Sequence, residues 1–539
     1  MWLDKFKKPE NYRGFKKEPV AYFCAEYALF DHTPLYAGGL GILAGDYVKE
    51  MAKQNMPAVA IGLYYHKEHE HGLDLNRDRK TPLDLGLNLV TDSNGSVVKI
   101  PILLGDKNVH VQAWYWKKNE LTLYLLDTQV EENDKDDWDI CDYLYVEDRG
   151  TRLRQEIILG IAGVRLLNTL NIHPSVFHMN EGHSAFLAFE LIRHEMTRRK
   201  VDFKTAIQFA KKHIVFTNHT LVPAGHELFN IDTIKSIASG FAKDLGIDIN
   251  ELVSLGLNKE FNMFSMTELA LNLSSKVNAV SKLHGVKAKE EWKGYNVESI
   301  TNGIYIEDWD ILRHYSHKEQ KNKLVELVNA KCGVNFDVDT ITLGWARRFV
   351  DYKRPLAILG NVAKLKELGK VQIIFSSAIN STYSEENEYY KEIIKLSNNE
   401  LKGLIAVIPD YNIEVTKLMT SGCDIWLNTP IVGREACGTS GMKGCLNGAL
   451  PLSTSDGWID EVDLNGIGWK VEDGDNITDN LLNILGSEIM PEYYNNKDGW
   501  NNRIKKSREL ILNNFGMNRV LKEYISKLYI PTYNNRKHP

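Results

Sequence analysis

The chain has 539 residues, 43% hydrophobic and 25% charged, a globular balance that excludes wholesale disorder and low-complexity fibres. Its 65 basic and 71 acidic side chains leave a net charge of −6, so no basic excess exists to displace counterions from a duplex and general nucleic-acid binding is disfavoured. The opening MWLDKFKKPENYRG is too charged for a signal peptide, and no run approaches the ~18 apolar residues of a membrane span.

Short runs rich in β-branched and aromatic residues recur along the chain, separated by helix-like segments. Val20–Tyr27, Ala58–Tyr65, Val176–Asn180, Ile214–Asn218 and Val277–Ser281 form a first series. Thr340–Trp345, Val371–Ser376, Leu404–Ile408, Ile425–Asn428 and Leu450–Thr454 form a second. Most are continuously apolar, as expected of strands buried on both faces of a parallel sheet. Arg152–Leu167 and Ser184–Glu195 place apolar residues at helical spacing between them, so the alternation predicts doubly wound α/β sheets. Val109–Trp116 and Leu121–Asp127 alternate instead across Lys117–Glu120, which predicts an antiparallel hairpin inserted in the first half. The acidic run Glu131–Asp139 reads as a solvated loop, and His317–Ala330 as a charged amphipathic helix. Length allows three to four domains or two large ones. The main boundary is placed between residues 310 and 338, giving α/β domains over 1–325 and 326–515, with a C-terminal helix (516–539) free to pack back on the first. Two such domains facing a cleft would gather ligands at the carboxyl ends of their strands.

Cys24, Cys141, Cys332, Cys423, Cys437 and Cys445 show neither a CxxC pair nor histidine-ligand spacing. A disulfide framework or structural zinc is therefore not expected, and a reducing cytoplasm fits. Gly38-Gly39-Leu40-Gly41 opens a helix-like segment, where glycines serve equally as a turn or as an anion's backbone cradle. Arg348 and Lys353 leave the end of the strand TITLGW, a pair suited to clamping a phosphate or to a solvated basic loop. His183, His219 and Asn302 lie at strand ends, where helix capping and turns compete with sugar binding; no carboxylate set accompanies them, so no metal site is expected. Most informative is Glu435-Ala436-Cys437-Gly438-Thr439-Ser440-Gly441-Met442-Lys443. Thr439 and Ser440 offer hydroxyls and backbone N–H groups at a helix start, and apolar surroundings should push Lys443 toward the neutral amine that a Schiff-base lysine requires.

Together these stretches resemble the α-glucan (glycogen, starch, maltodextrin) phosphorylase family, in its compact prokaryotic type. The resemblance runs through AEY (Ala25–Tyr27), LYAGGLGILAGD (Leu35–Asp46), RLRQE (Arg152–Glu156), HMNEGHSAF (His178–Phe186), TNHT (Thr217–Thr220), NGIYIEDW (Asn302–Trp309), ARRFVDYKRP (Ala346–Pro355) and EACGTSGMKGCLNGAL (Glu435–Leu450), in family order. It implies a GT-B fold of two Rossmann-like domains, the first on the glucan and glycine-loop side and the second binding cofactor and phosphate. Pyridoxal 5'-phosphate would be joined to Lys443, with Arg347, Thr439 and Ser440 on its phosphate group. Arg348, Lys353 and the backbone at Gly39 would hold inorganic phosphate as catalytic groups. His183, Gly38, His219, Asn302, Glu435, Cys437 and Gly438 would line the sugar site. The implied reaction is reversible, retaining phosphorolysis of an α-1,4-glucan end to glucose 1-phosphate; the implied partners are glucan and phosphate, with a homodimer as the family's common assembly. With only about twenty residues before the first strand, the phosphorylation-control segment of animal members is expected to be lacking.

Three positions depart from the family pattern: Asn412 stands where long members place an arginine, Ala378 where many have lysine, and Cys437 where serine is usual. Two rivals are a nucleotide-sugar glucosyltransferase of the synthase kind and a glucan-binding relative without turnover. Synthases carry a lysine before the glycine loop, where this chain has Ala37, and lack the Met-Lys of GTSGMK. Arg348, Lys353 and Glu435 do not discriminate between the enzymes.

Overall fold

Continuously apolar, β-branched runs cannot present one face to water, so they assemble as parallel strands covered on both sides. The computed structural model describes residues 14–30, 33–67, 81–221, 227–377, 384–409 and 411–535 and contains two such sheets. The first has ten strands. Val297–Ser299, Lys276–Ala279, Ile214–Thr217, Val176–Asn180, Val20–Phe23, Ala58–Leu63 and Leu121–Asp127 run parallel in that spatial order. Lys107–Lys118 then turns back antiparallel, with Asn88–Leu89 and Ile100–Leu104 paired to it.

The expected antiparallel hairpin forms in the first half, Lys107–Lys118 against Leu121–Asp127, and its second strand extends the main sheet in parallel register with Ala58–Leu63. The turn is tighter than expected, carried by Asn119 in the left-handed region at φ 56°. The acidic run is only partly a solvated loop: Lys135–Trp138 forms a helical turn capped by the Asp134 carboxylate, and Asp137 is buried. Both Asp134 and Asp137 pair with Lys107 of the long strand, which draws the segment onto the sheet.

The second sheet has six strands, all parallel, in the order Ile405–Ile408, Val371–Ser376, Ile341–Ala346, Ile425–Asn428, Leu450–Thr454 and Trp469–Val471. The helix His317–Cys332 opens with a capping box between Ser316 and Glu319. It lies wholly on this second core, across the boundary expected at 325/326: Leu324 and Val328 pack with Met419 and Trp426. Lys321 is bound to Asp424 at 2.6 Å with both side chains 3% exposed. The C-terminal helical segments from Met517 return to the first core, where the Tyr529 hydroxyl lies 2.7 Å from both Tyr47 Oη and His178 Nδ1.

Each sheet has its own apolar core, and a further cluster joins the halves. It unites Ala28, Ile42, Val280 and Trp309 with Cys437, Met442, Leu446 and Trp458. No two cysteines are bonded, and among the described residues no helix is long and apolar enough to cross a membrane. Trp345, fully buried in the central strand of the second sheet, stacks on Phe349 at 5.2 Å. Trp345→Ala should cost ~3–5 kcal/mol through the cavity it leaves, read as a fall in the urea denaturation midpoint.

Candidate functional site

The glycine loop leads into the helix Gly39–Lys53. Glu26, at the end of the first strand's run, accepts hydrogen bonds from Ala37 N at 2.7 Å, Gly38 N at 3.2 Å and Tyr145 Oη at 2.6 Å. Gly41 must be glycine, since a Cβ there would meet Tyr36 Cβ at 2.6 Å and Glu26 Oε2 at 2.7 Å. Gly38 and Gly39 face open space, with nothing within 4 Å of a would-be Cβ. The loop is thus pinned from below by a carboxylate and left accessible above.

Arg347, Arg348 and Lys353 follow the strand Ile341–Ala346 on an irregular loop. Arg347 donates through Nη1 to Asn428 Oδ1 and through Nη2 to Ser440 Oγ at 3.5 Å, while its buried Nε has no hydrogen-bond partner. Arg348 is exposed. Lys353 Nζ meets Glu435 Oε2 at 3.0 Å. Burial pushes Lys353 down to about 8, against the opposing pull of Glu435 and with the help of Arg347 and Arg348. Burial would raise the Glu435 carboxyl, but Lys353 and Arg347 outweigh it and hold the carboxyl below its ordinary range. An arriving phosphate would therefore find a cationic cluster in which the Glu435 carboxylate is itself a displaceable partner.

Lys443 lies in the short helix Ser440–Leu446 and is 2% exposed. Its Nζ stands 3.9 Å from the ring centroid of Trp309, a residue that reaches it from the first half. Burial lowers the amine to about 8, while the Asp46 carboxylate pulls the other way. Asn447 straps the two elements together: its Nδ2 donates to Lys443 O at 2.9 Å and to Trp309 O at 2.6 Å, and its Oδ1 accepts from Ile311 N at 2.8 Å. Asn302 spends its Nδ2 on Cys437 O at 3.1 Å, and Ser281 Oγ donates to Ala436 O at 2.6 Å. The Cys437 thiol is buried in the inter-domain cluster and pushed well up by that burial. A Cβ on Gly438 would come within 3.0 Å of Glu435 Oε1, so this glycine seats the Glu435 carboxylate.

His183 and His219 belong to a network on the first sheet. His219 Nε2 lies 2.6 Å from Asn180 Oδ1, and its backbone N–H donates to Glu181 Oε1 at 2.8 Å. Burial pushes both imidazoles down to about 3, so each is neutral and able to donate and accept. Glu181 itself sits at φ 70°, a conformation rare outside glycine and a mark of backbone strain at the strand's end. Ligand atoms of His183, Glu156 and Glu227 lie within 4.8 Å of one another, a grouping the sequence spacing does not reveal. Arg152 already stands among them, its Nε 3.2 Å from Glu156 and 3.3 Å from Glu227, so the carboxylates have their cation. Asn412 caps the helix Ile413–Gly422, accepting from Val415 N at 2.8 Å. Ala378 lies outside the described residues.

Sequence reasoning did not single out Glu26, Asp46, Glu181, Trp309, Asn428 or Asn447. Glu26, Asp46, Glu181, Trp309 and Asn447 all fall inside the quoted motif stretches, and Asn428 ends the strand run Ile425–Asn428, but nothing along the chain marks their roles.

Burial also raises the Glu181 carboxyl to about 8, so the folded chain holds a proton that the unfolded chain gives up above its ordinary value. That stabilisation is fully present below the unfolded value and is lost as pH rises through the folded one. Glu181→Gln, neutral throughout, should flatten the decline in melting temperature between about pH 5 and 8, as scanning calorimetry of both proteins would show.

Two largely parallel sheets joined by an apolar cluster, with a buried lysine in a short helix and a basic loop at a strand end of the second, define the two-domain α/β class in which ligands gather at strand ends. A family model described as carbohydrate phosphorylase matches residues 139–309 and 303–466. A maltodextrin phosphorylase from Thermococcus litoralis is 34% identical over an alignment covering 95% of this chain and 70% of that protein. A glycogen phosphorylase from Aquifex aeolicus is 30% identical, covering 96% of this chain and 87% of the relative. An uncharacterised protein of Methanocaldococcus jannaschii is 29% identical over 95% of this chain and its own full length. The chain belongs to the carbohydrate phosphorylase family, and its paired parallel sheets are the GT-B fold.

Proposed function

We propose that the protein is an α-glucan phosphorylase, taking the non-reducing end of an α-1,4-glucan and inorganic phosphate reversibly to glucose 1-phosphate with retention. The observation that carries this reading is the burial of Lys443, 2% exposed, in the short helix whose first residue, Ser440, accepts a hydrogen bond from Arg347. Pyridoxal 5'-phosphate fits there on two counts: the amine is easily made neutral, and Arg347 Nε is a buried donor without a partner beside Ser440. Lys443 would hold the aldehyde carbon, and Arg347, Ser440 and Thr439 the phosphate group. When bound, the cofactor supplies a phosphate that relays a proton to the substrate phosphate.

The chain's own residues do the rest. Lys353 and Arg348 concentrate positive charge where the substrate phosphate must sit, and the open backbone at Gly38 and Gly39 leaves it room to approach. Neutral His183 and His219 orient sugar hydroxyls without protonating them. Burial of the strand ends keeps bulk water, the competing nucleophile, from the reacting carbon. Six unpaired thiols support work in a reducing cytoplasm. Purified protein should release glucose 1-phosphate from maltodextrin only when phosphate is present; hydrolysis to free glucose, or no release, would sink the reading.

A further inference from the structure

Asp46 lies in the middle of the helix that the glycine loop opens, 3% exposed, and none of the phosphate-clamp or sugar contacts above involves it. Its two carboxylate oxygens accept from Trp309 Nε1 at 3.1 and 3.0 Å, and Oδ2 accepts from Tyr305 N at 3.1 Å. Trp309 in turn presents its ring to the Lys443 amine at 3.9 Å. The order Asp46, Trp309, Lys443 thus crosses from the first half of the molecule to the second. The other charged groups around it are already engaged or farther off. Lys49 is paired with Asp308 at 2.6 Å, Glu50 accepts from Gln54 at 2.7 Å, Glu307 pairs with Lys53, and Lys417 stands 5.9 Å above the Trp309 ring. A cavity of about 340 Å³ lined by Asp46, Lys49, Asp308, Trp309, Ile413 and Lys417 opens on the Asp46 and Trp309 side of the group.

We propose that Asp46 is a positioning residue for Lys443, fixing Trp309 beneath the amine and sustaining the amine's proton across the inter-domain boundary. This rests on reading Lys443 as the lysine that captures pyridoxal phosphate. The charges set the sign. Burial and Lys49 favour the neutral amine and Asp46 favours the ammonium, so removing the carboxylate charge frees the amine at lower pH. Asp46→Asn keeps an oxygen to accept from Trp309 while deleting the charge.

The test labels the cofactor-free full chain with acetic anhydride over a pH series and follows Lys443 acetylation by peptide mass spectrometry. Wild type should show a midpoint near about 8. In Asp46→Asn the midpoint should fall by about one unit, so that Lys443 reacts roughly tenfold faster at neutral pH, and Asp46→Glu should restore it. A midpoint unmoved in Asp46→Asn, or moved equally in Asp46→Glu, overturns the proposal. Should Asp46→Asn fail to fold, Lys49→Met carries the test with the opposite sign: the midpoint must rise, and an unmoved or falling one overturns it. Labelling needs no pyridoxal, so a wild type that never takes up the cofactor sinks the functional reading alone, whereas an unmoved midpoint sinks only the role of Asp46.

Discussion

Lys443→Met should purify without the visible absorbance of lysine-bound pyridoxal and should lose turnover by roughly 10³-fold or more, beyond what one preorganised polar contact supplies. Methionine matches the length and apolar bulk of the lysine stem, so it keeps the packing on Trp309 and removes only the amine. Asp46 then loses one favourable charge but keeps Lys49 nearby and its hydrogen bonds from Trp309 and Tyr305. Folding should therefore survive, which a thermal melt within a few degrees of wild type would establish. A coloured Lys443→Met protein would place the cofactor elsewhere. A colourless wild type that remained so after incubation with pyridoxal phosphate would instead favour a nucleotide-sugar enzyme or a binding protein.

Lys353→Ala should lower the rate of phosphorolysis by about a hundredfold or more, equivalent to ~3 kcal/mol of transition-state stabilisation, with little change in melting temperature. Its ion-pair partner Glu435 retains Arg347 and Arg348 nearby, so the carboxylate is not left uncompensated. The pH profile gives a second reading. Because burial brings Lys353 down to about 8, the free enzyme should lose its grip on phosphate as the pH rises through that value. In Lys353→Arg, whose guanidinium stays charged, that alkaline limb of kcat/KM should move out of range. Activity near wild type in Lys353→Ala would show that the clamp is built from other residues.

The apolar strand runs were legible because burial on both faces leaves a compositional mark that needs no partner to be read. Val176–Asn180, Val371–Ser376, Ile425–Asn428 and Leu450–Thr454 form with the ends expected of them. The hairpin was legible as two strands but not as part of the main sheet, since the alternation along Lys107–Lys118 says nothing about Ala58–Leu63 pairing with Leu121–Asp127. The acidic run misled because charge predicts solvation only where no cation waits, and Lys107 is some thirty residues away in the chain.

What the sequence by itself determined is local: continuous hydrophobicity made parallel strands, small residues made the loops that open helices, and the ordered motifs marked the family. What only the tertiary structure decided is which buried charges face one another. That Asp46, Trp309 and Lys443 form one group, that Arg152 meets Glu227, and that Glu435 answers Lys353 all depend on separations of tens to hundreds of residues, whereas Arg152 and Glu156 are four apart on one helix. Desolvation and Coulomb energies follow distance in space, and no period or spacing along the chain encodes that distance.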